Sequence, residues 1–331
     1  MSNHPNYRLS YSQIDHFMRH GWVRVPRCFS KEKAAEWTAD VWNRLGFRAS
    51  DKSTWTTEVT YLPERRTESV KTFAPRAWAA ICELLGGENR VANQSATWND
   101  AFIINLGTEQ KVGKYYHPKE LTDWHVDGDF FIHYLDSPEQ ALLAIPFFSD
   151  VEERCGGTMV CSDSIKLMAR YLYDHPEGVS PYMVPRGSKK SRQAFDDFYD
   201  DMIQKCYQFF EMTGKTEDVV LLHPLMVHSV SINSLRQPRI ITNPPVSLKE
   251  PFKFDRSNPD HYSLVERYTL KALGKDRLRG WKIKGRRESV IPERLKPPVE
   301  ETQQGRASGK SASARPAPGL KRPKFDKCDI A

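Results

Sequence analysis

Asp218-Val219-Val220-Leu221-Leu222-His223-Pro224-Leu225-Met226-Val227-His228-Ser229-Val230-Ser231-Ile232-Asn233 reads as a strand, a turn and a second strand. A short apolar run of β-branched residues and leucine ends at His223-Pro224, and a second run with alternating side chains carries His228. Working outward, Ala101 to Leu106, Trp124 to Leu135, Ala141 to Phe148, Met159 to Cys161 and Ile240 to Val246 show similar short runs. Seven or eight such strands follow an α-rich start, which predicts a barrel or sandwich. In that start, Ser10 caps one amphipathic helix that stops at Gly21, Ser30 opens another, and a third is expected over Ala74 to Leu85. Residues 163–217 form an insertion with helical patterns at Ile165 to Tyr173 and Gln193 to Met212, of the kind used as lids or substrate walls. A closing helix is expected over 258–273.

His228 has company. In Trp124-His125-Val126-Asp127-Gly128-Asp129 the histidine and Asp127 are two apart, so on a strand both side chains leave one face and can grip one ion. Arg239 heads Arg239-Ile-Ile-Thr-Asn243, eleven residues past His228. Two neutral nitrogens, one carboxylate oxygen and a guanidinium make the donor set of a mononuclear non-haem iron(II) centre, with one face of the ion left open. The guanidinium fork suits a dicarboxylate that chelates the metal by its other end. His223 competes with His228, but its place before Pro224 makes it a turn residue. Arg236 competes with Arg239, but it sits in the polar turn Asn233-Ser-Leu-Arg-Gln-Pro238. Asp129 is expected beside the site or in solvent rather than on the metal.

Composition narrows the class. The 331 residues are 39% hydrophobic and 27% charged, an ordinary globular mixture, with no apolar run long enough to cross a bilayer. The six cysteines lack any C-x-x-C pair, which argues against a structural zinc site and against an oxidised scaffold; a reduced cytoplasmic setting is expected. No apolar leader follows Met1, so secretion is not expected. The net charge of +7 is uneven: residues 271–331 hold 17 Lys and Arg against 7 Asp and Glu, leaving the body slightly acidic. Nucleic-acid binding would rest on this tail alone, and 300–331 is read as a disordered basic tail after a single domain over 1–299. With no basic cluster assigned near the mouth of the site, a neutral or cationic small molecule fits better than a CoA thioester. Aromatic residues around the motif, among them Trp55, Tyr61, Tyr115, Phe130, Phe147 and Phe148, are candidates for core or pocket walls.

The chain resembles the phytanoyl-CoA dioxygenase-like family of Fe(II)/2-oxoglutarate oxygenases over roughly residues 10–250. The opening helix leading into His20-Gly-Trp-Val-Arg-Val-Pro26 and the next helix match that family's start. Its His-x-Asp falls on His125 and Asp127, its distal histidine on His228, and its arginine on Arg239. The family's Gly-Asp before the distal histidine falls on Glu217-Asp218, and its asparagine five residues beyond on Asn233. Two departures stand out. Val230 occupies a position where a serine often helps hold 2-oxoglutarate, and Cys155-Gly-Gly-Thr158 stands where Pro-Gly-Ser-His is common; Thr158 is the candidate substitute hydroxyl.

The resemblance implies a mostly β fold with flanking helices around a double-stranded β-helix, or jelly roll, core of cupin-like type. It also implies Fe(II), 2-oxoglutarate as co-substrate and O2, with decarboxylation to succinate and oxidation of a small organic substrate in specialised metabolism. Hydroxylation is the plain outcome, with desaturation or ring formation as variants; Asp127 argues against halogenation, which needs that ligand position free. The rival readings are a cupin-like isomerase or hydrolase that uses no 2-oxoglutarate, and a non-catalytic binder with a relict metal site.

Overall fold

The computed structural model describes residues 7–292 and Leu295. The basic tail over 300–331 lies outside the described residues, as does Cys328. In chain order come α1 (Tyr11–His20), β1 (Trp22–Val25), α2 (Lys31–Thr38), α3 (Val41–Leu45), β2 (Val59–Tyr61), β3 (Thr67–Ser69), α4 (Val70–Phe73) and α5 (Pro75–Leu85). Then follow β4 (Thr97–Asn99), β5 (Ile103–Asn105), β6 (Leu142–Pro146), β7 (Thr158–Cys161), α6 (Ser164–Asp174), α7 (Phe198–Gln204) and β8 (Phe209–Glu211). The series closes with β9 (Val219–Leu222), β10 (Val227–Val230), β11 (Arg239–Ile241), β12 (Pro245–Val246) and α8 (Leu264–Ala272).

All ladders among the described residues are antiparallel, in the orders β1-β9-β6-β12, β10-β7-β8, β11-β5-β2 and β3-β4. A bridge between Phe147 and Ile241 carries the first of these on to β11. The fold is therefore mostly β-sheet with helices added, and sequentially distant strands are neighbours. The completely buried runs Leu142–Pro146 and Val219–Leu222 explain why those stretches show little alternation. Behind them, Phe29, Trp37, Phe73 and Phe148 form one aromatic stack, with the Trp37 and Phe148 rings 5.5 Å apart and nearly parallel. Phe147 and Phe148 are thus core.

Local chemistry accounts for the flanking helices. Ser10 and Gln13 form a reciprocal capping box at the start of α1, and Gly21 at φ 73° ends it. Ser263 and Glu266 do the same for α8, so the closing helix begins later than residue 258, after a short 3-10 turn at Pro259–His261.

Two expectations need correction. Trp124 to Leu135 is not a continuous strand; only the single bridges His125–His228, Phe131–Ser289 and His133–Val179 form. Asp123 at φ 61° and Gly128 at φ 118° bend the chain, and a Cβ on Gly128 would stand 2.4 Å from the Phe131 ring. The helical reading of Gln193 to Met212 also fails at its end. Residues Phe209–Glu211 are a strand, because pairing with β7 supplies hydrogen bonds that local propensity does not foresee.

Candidate metal centre

β10 places His228 opposite Val160 of β7, and the main chain of His125 pairs with that of His228 on the other side (N···O 3.0 and 2.9 Å). This one bridge joins two segments a hundred residues apart and sets their imidazoles side by side, with ring centres 4.4 Å apart. Asp127 follows two residues after His125. Its Oδ1 lies 3.5 Å from Nε2 of His125 and 3.6 Å from Nε2 of His228. One donor atom from each of the three residues falls within 4.8 Å of the others.

The tautomers follow from the remaining ring nitrogens. Nδ1 of His125 faces the Asp123 carbonyl at 2.6 Å and Nδ1 of His228 faces the Met226 carbonyl at 3.1 Å. A carbonyl only accepts, so each Nδ1 carries the proton and each Nε2 turns a lone pair toward Asp127. Three electron-pair donors meeting at one point suit a divalent cation. The side chains of His228 and Asp127 are 9% and 21% exposed but that of His125 is 46% exposed, so the triad is open on the His125 side.

Arg239 lies on β11, opposite Asn105 of β5. It is 1% exposed, and among the described residues none of its three guanidinium nitrogens has a hydrogen-bond partner. Burial lowers its pKa to about 10, leaving it charged at neutral pH. Tyr61 lies on the same face of this sheet two residues on, and it interacts electrostatically with Arg239 as well as with Asp123 and Asp127. The phenol is thus within electrostatic reach of both the guanidinium and Asp127. Thr158 is the direct cross-strand partner of Val230, so its side chain shares the face that carries His228.

The competitors are spent elsewhere. Nδ1 of His223 accepts from Leu225 N at 3.2 Å and its Nε2 donates to Thr269 Oγ1 at 3.0 Å; burial pushes its pKa down to about 3. Arg236 pairs with Glu109 and donates to the Lys52 carbonyl. Asp129 is exposed. Of the positions matched by resemblance, Glu217 takes φ 81°, which explains why glycine suits that place. Asn233 is a clamp rather than a ligand, its Nδ2 donating to the carbonyls of Asn105 and Gln237.

Two contributors escaped the sequence reading. Tyr199 of α7 reaches the Val126 backbone and is within electrostatic reach of Asp127, so the insertion borders the His125–Asp127 loop; its only sequence signal is membership of a long insertion. Residues 284–290 also run beside that loop, with Val290 N bonded to the Phe130 carbonyl and Ile132 N to the Glu288 carbonyl. Arg286 and Arg287 thus lie on a segment whose backbone pairs with Phe130 and Ile132, and the Arg287 side chain is paired with Asp136.

No family model and no curated protein matches the chain. Solved structures do resemble it. The non-haem α-ketoglutarate-dependent carbocyclase SnoK from nogalamycin biosynthesis is 17% identical over 73% of this chain and 84% of its own, with a TM-score of 0.41. HygX from Streptomyces hygroscopicus, solved with nickel and 2-oxoglutarate bound, is 12% identical over 75% and 91%, TM-score 0.36. EctD from S. alaskensis in its apoform is 16% identical over 77% and 84%, TM-score 0.38. With TM-scores this low, the likenesses decide nothing about this chain's chemistry.

Proposed function

We propose that the protein is an Fe(II)/2-oxoglutarate-dependent oxygenase acting on a small organic molecule, its sheets forming the two halves of a jelly roll. The observation that carries this is the pairing of a two-histidine, one-carboxylate face with a buried guanidinium that has no hydrogen-bond partner among the described residues. Each orphaned buried donor costs about 1–3 kcal/mol. That deficit is relieved by a carboxylate from outside the chain. An isomerase or hydrolase on the same triad has no use for such a cation, and a relict site would not keep both histidine tautomers fixed.

In this reading His125, Asp127 and His228 hold the ferrous ion and Arg239 takes the distal carboxylate of 2-oxoglutarate in a bidentate grip. Thr158 donates a hydroxyl to the same carboxylate. Bound iron with 2-oxoglutarate and O2 supplies an oxidant able to take hydrogen from unactivated carbon, with succinate and CO2 released. The residues of the chain supply position: the Asp123 and Met226 carbonyls fix the imidazoles, and Tyr199 steadies the His-x-Asp turn from the insertion. Substrate enters on the exposed His125 side, where the products are hydroxylated, desaturated or cyclised. Specialised metabolism is the proposed setting. No helix among the described residues is long and apolar enough to cross a membrane, and the five described cysteines are free thiols, in keeping with a cytoplasmic location.

The test is anaerobic addition of Fe(II) and 2-oxoglutarate, read by the visible charge-transfer band of the chelate. Wild type gives the band, and His228→Ala, Asp127→Ala and Arg239→Ala lose it while His223→Ala keeps it. A wild-type protein that binds iron without the band sinks the 2-oxoglutarate assignment.

A further inference from the structure

The cysteines, read along the sequence, show no metal-ligand spacing. The fold brings two of them together. Cys161 ends β7, Asp163 lies two residues on, and Cys206 follows α7 more than forty residues later; one donor atom from each falls within 4.8 Å of the others. Both cysteines are completely buried, while Asp163 is half-buried and forms the outer edge of the cluster. Oδ1 of Asp163 accepts from the Cys161 thiol at 3.2 Å, and its Oδ2 accepts from Tyr207 N at 2.8 Å. Cys206 donates to the Met202 carbonyl at 3.3 Å.

Three acids thus converge with no base to balance them. Among the described residues no basic side chain forms a salt bridge with Asp163. The Cys161 thiol is driven far above its ordinary pKa by Cys206, by burial and by Asp163. So crowded a thiol is a poor nucleophile, which removes a catalytic reading. A divalent cation reverses the same crowding, since thiolate and carboxylate ligation turns mutual repulsion into shared attraction.

We propose that Cys161, Asp163 and Cys206 form a second metal site, for a thiophilic divalent ion of the zinc class, which ties the insertion to β7. Two sulfurs and one carboxylate oxygen are a borderline-soft donor set, unlike the nitrogen and oxygen triad at His125, Asp127 and His228. On binding, Cys161 and Cys206 release their protons to solvent, two per ion. Asp163 is half-buried, so a solvent molecule can supply a fourth ligand. The site anchors the stretch between α7 and β8, directly after the helix that brings Tyr199 to Val126. It stands independently of the oxygenase reading, because the iron triad contains no sulfur.

Cadmium is the probe, since its thiolate charge-transfer band in the ultraviolet reports sulfur ligation alone. Titration of the full, reduced chain gives one equivalent of band-forming cadmium and a rise in melting temperature. Cys206→Ser loses both, Asp163→Asn keeps the band with weaker binding, and Cys155→Ser, a buried cysteine elsewhere, changes neither. His228→Ala keeps the band, which separates this site from the iron centre. Should Cys206→Ser fail to fold, Cys161→Ser and Asp163→Asn carry the comparison. No band in wild type, a band surviving in Cys206→Ser, or a Cys161–Cys206 disulfide found by peptide mapping of the purified chain overturns the proposal.

Discussion

Two buried arginines in this molecule meet opposite fates. Arg44, its side chain 2% exposed, pairs with Asp100 at 3.1 Å, and Asp100 also accepts the backbone N–H of Arg65 and Arg66. Arg239, 1% exposed, has no hydrogen-bond partner among the described residues on any guanidinium nitrogen. Glu266, buried near α8, is matched as Asp100 is, by Arg90 and Arg256. Where charge is buried for architecture, the chain supplies the counter-charge and the hydrogen bonds. At the Arg239 site Glu211 and Tyr61 act only at a distance, and no hydrogen bond or salt bridge is made among the described residues; on the proposed reading a ligand makes it.

The contrast can be broken by mutation. Arg44→Met strands Asp100 in the core and is expected to cost about 3–5 kcal/mol in urea unfolding, because a buried charge loses its partner. Arg239→Met removes a charge that is already unpaired, so its stability stays within about 1 kcal/mol of wild type or rises, while thermal stabilisation by 2-oxoglutarate disappears. Saturating 2-oxoglutarate at a hundred times its Kd adds about 2.7 kcal/mol to wild type, which sets the size of the lost shift. If Arg239→Met unfolds the protein as Arg44→Met does, the guanidinium is structural after all and the comparison collapses.

A pH experiment sharpens the paired side. Burial alone raises the Glu266 carboxyl, but the hydrogen bonds from Arg90 and from the N–H groups of Lys253 and Ser263 outweigh it and leave the pKa below the ordinary glutamate value. A carboxyl depressed in the folded state adds stability that is complete above its unfolded pKa and is lost as pH falls through the folded one. Glu266→Gln should therefore flatten the acid limb of the stability curve below the usual glutamate range and leave neutral-pH kinetics unchanged. The smallest effect is expected at Thr158. Thr158→Val deletes one hydrogen bond to the proposed co-substrate, about 1–1.5 kcal/mol, or roughly five- to tenfold in the KM for 2-oxoglutarate, with kcat held.

Much of the site was legible as residue types at fixed spacing. His125 and Asp127 are two apart, and His228 and Arg239 sit on runs whose composition specifies strands. Thr158 stands out in the sequence only as a candidate hydroxyl in place of the one absent at Val230, and the register sets it directly opposite Val230. Other features had no local signature. The alternation around Trp124 suggested a strand, yet the chain turns at Asp123 and Gly128, and the ligands are aligned by one bridge to His228 instead. Phe209–Glu211 had a helical pattern and became a strand because β7 lay open beside it.

By itself the sequence determined the donor atoms, the strand-rich core and the capped helices, since these depend on side-chain chemistry and on periods of two and 3.6 residues that any local stretch displays. Tertiary structure alone decided which histidine faces Asp127, that Arg239 is left without a partner, that Tyr199 crosses from the insertion, and that Cys161 meets Cys206. Each of those outcomes depends on contacts between residues far apart in the chain, whose hydrogen bonds and desolvation exist only once the sheets have closed over them.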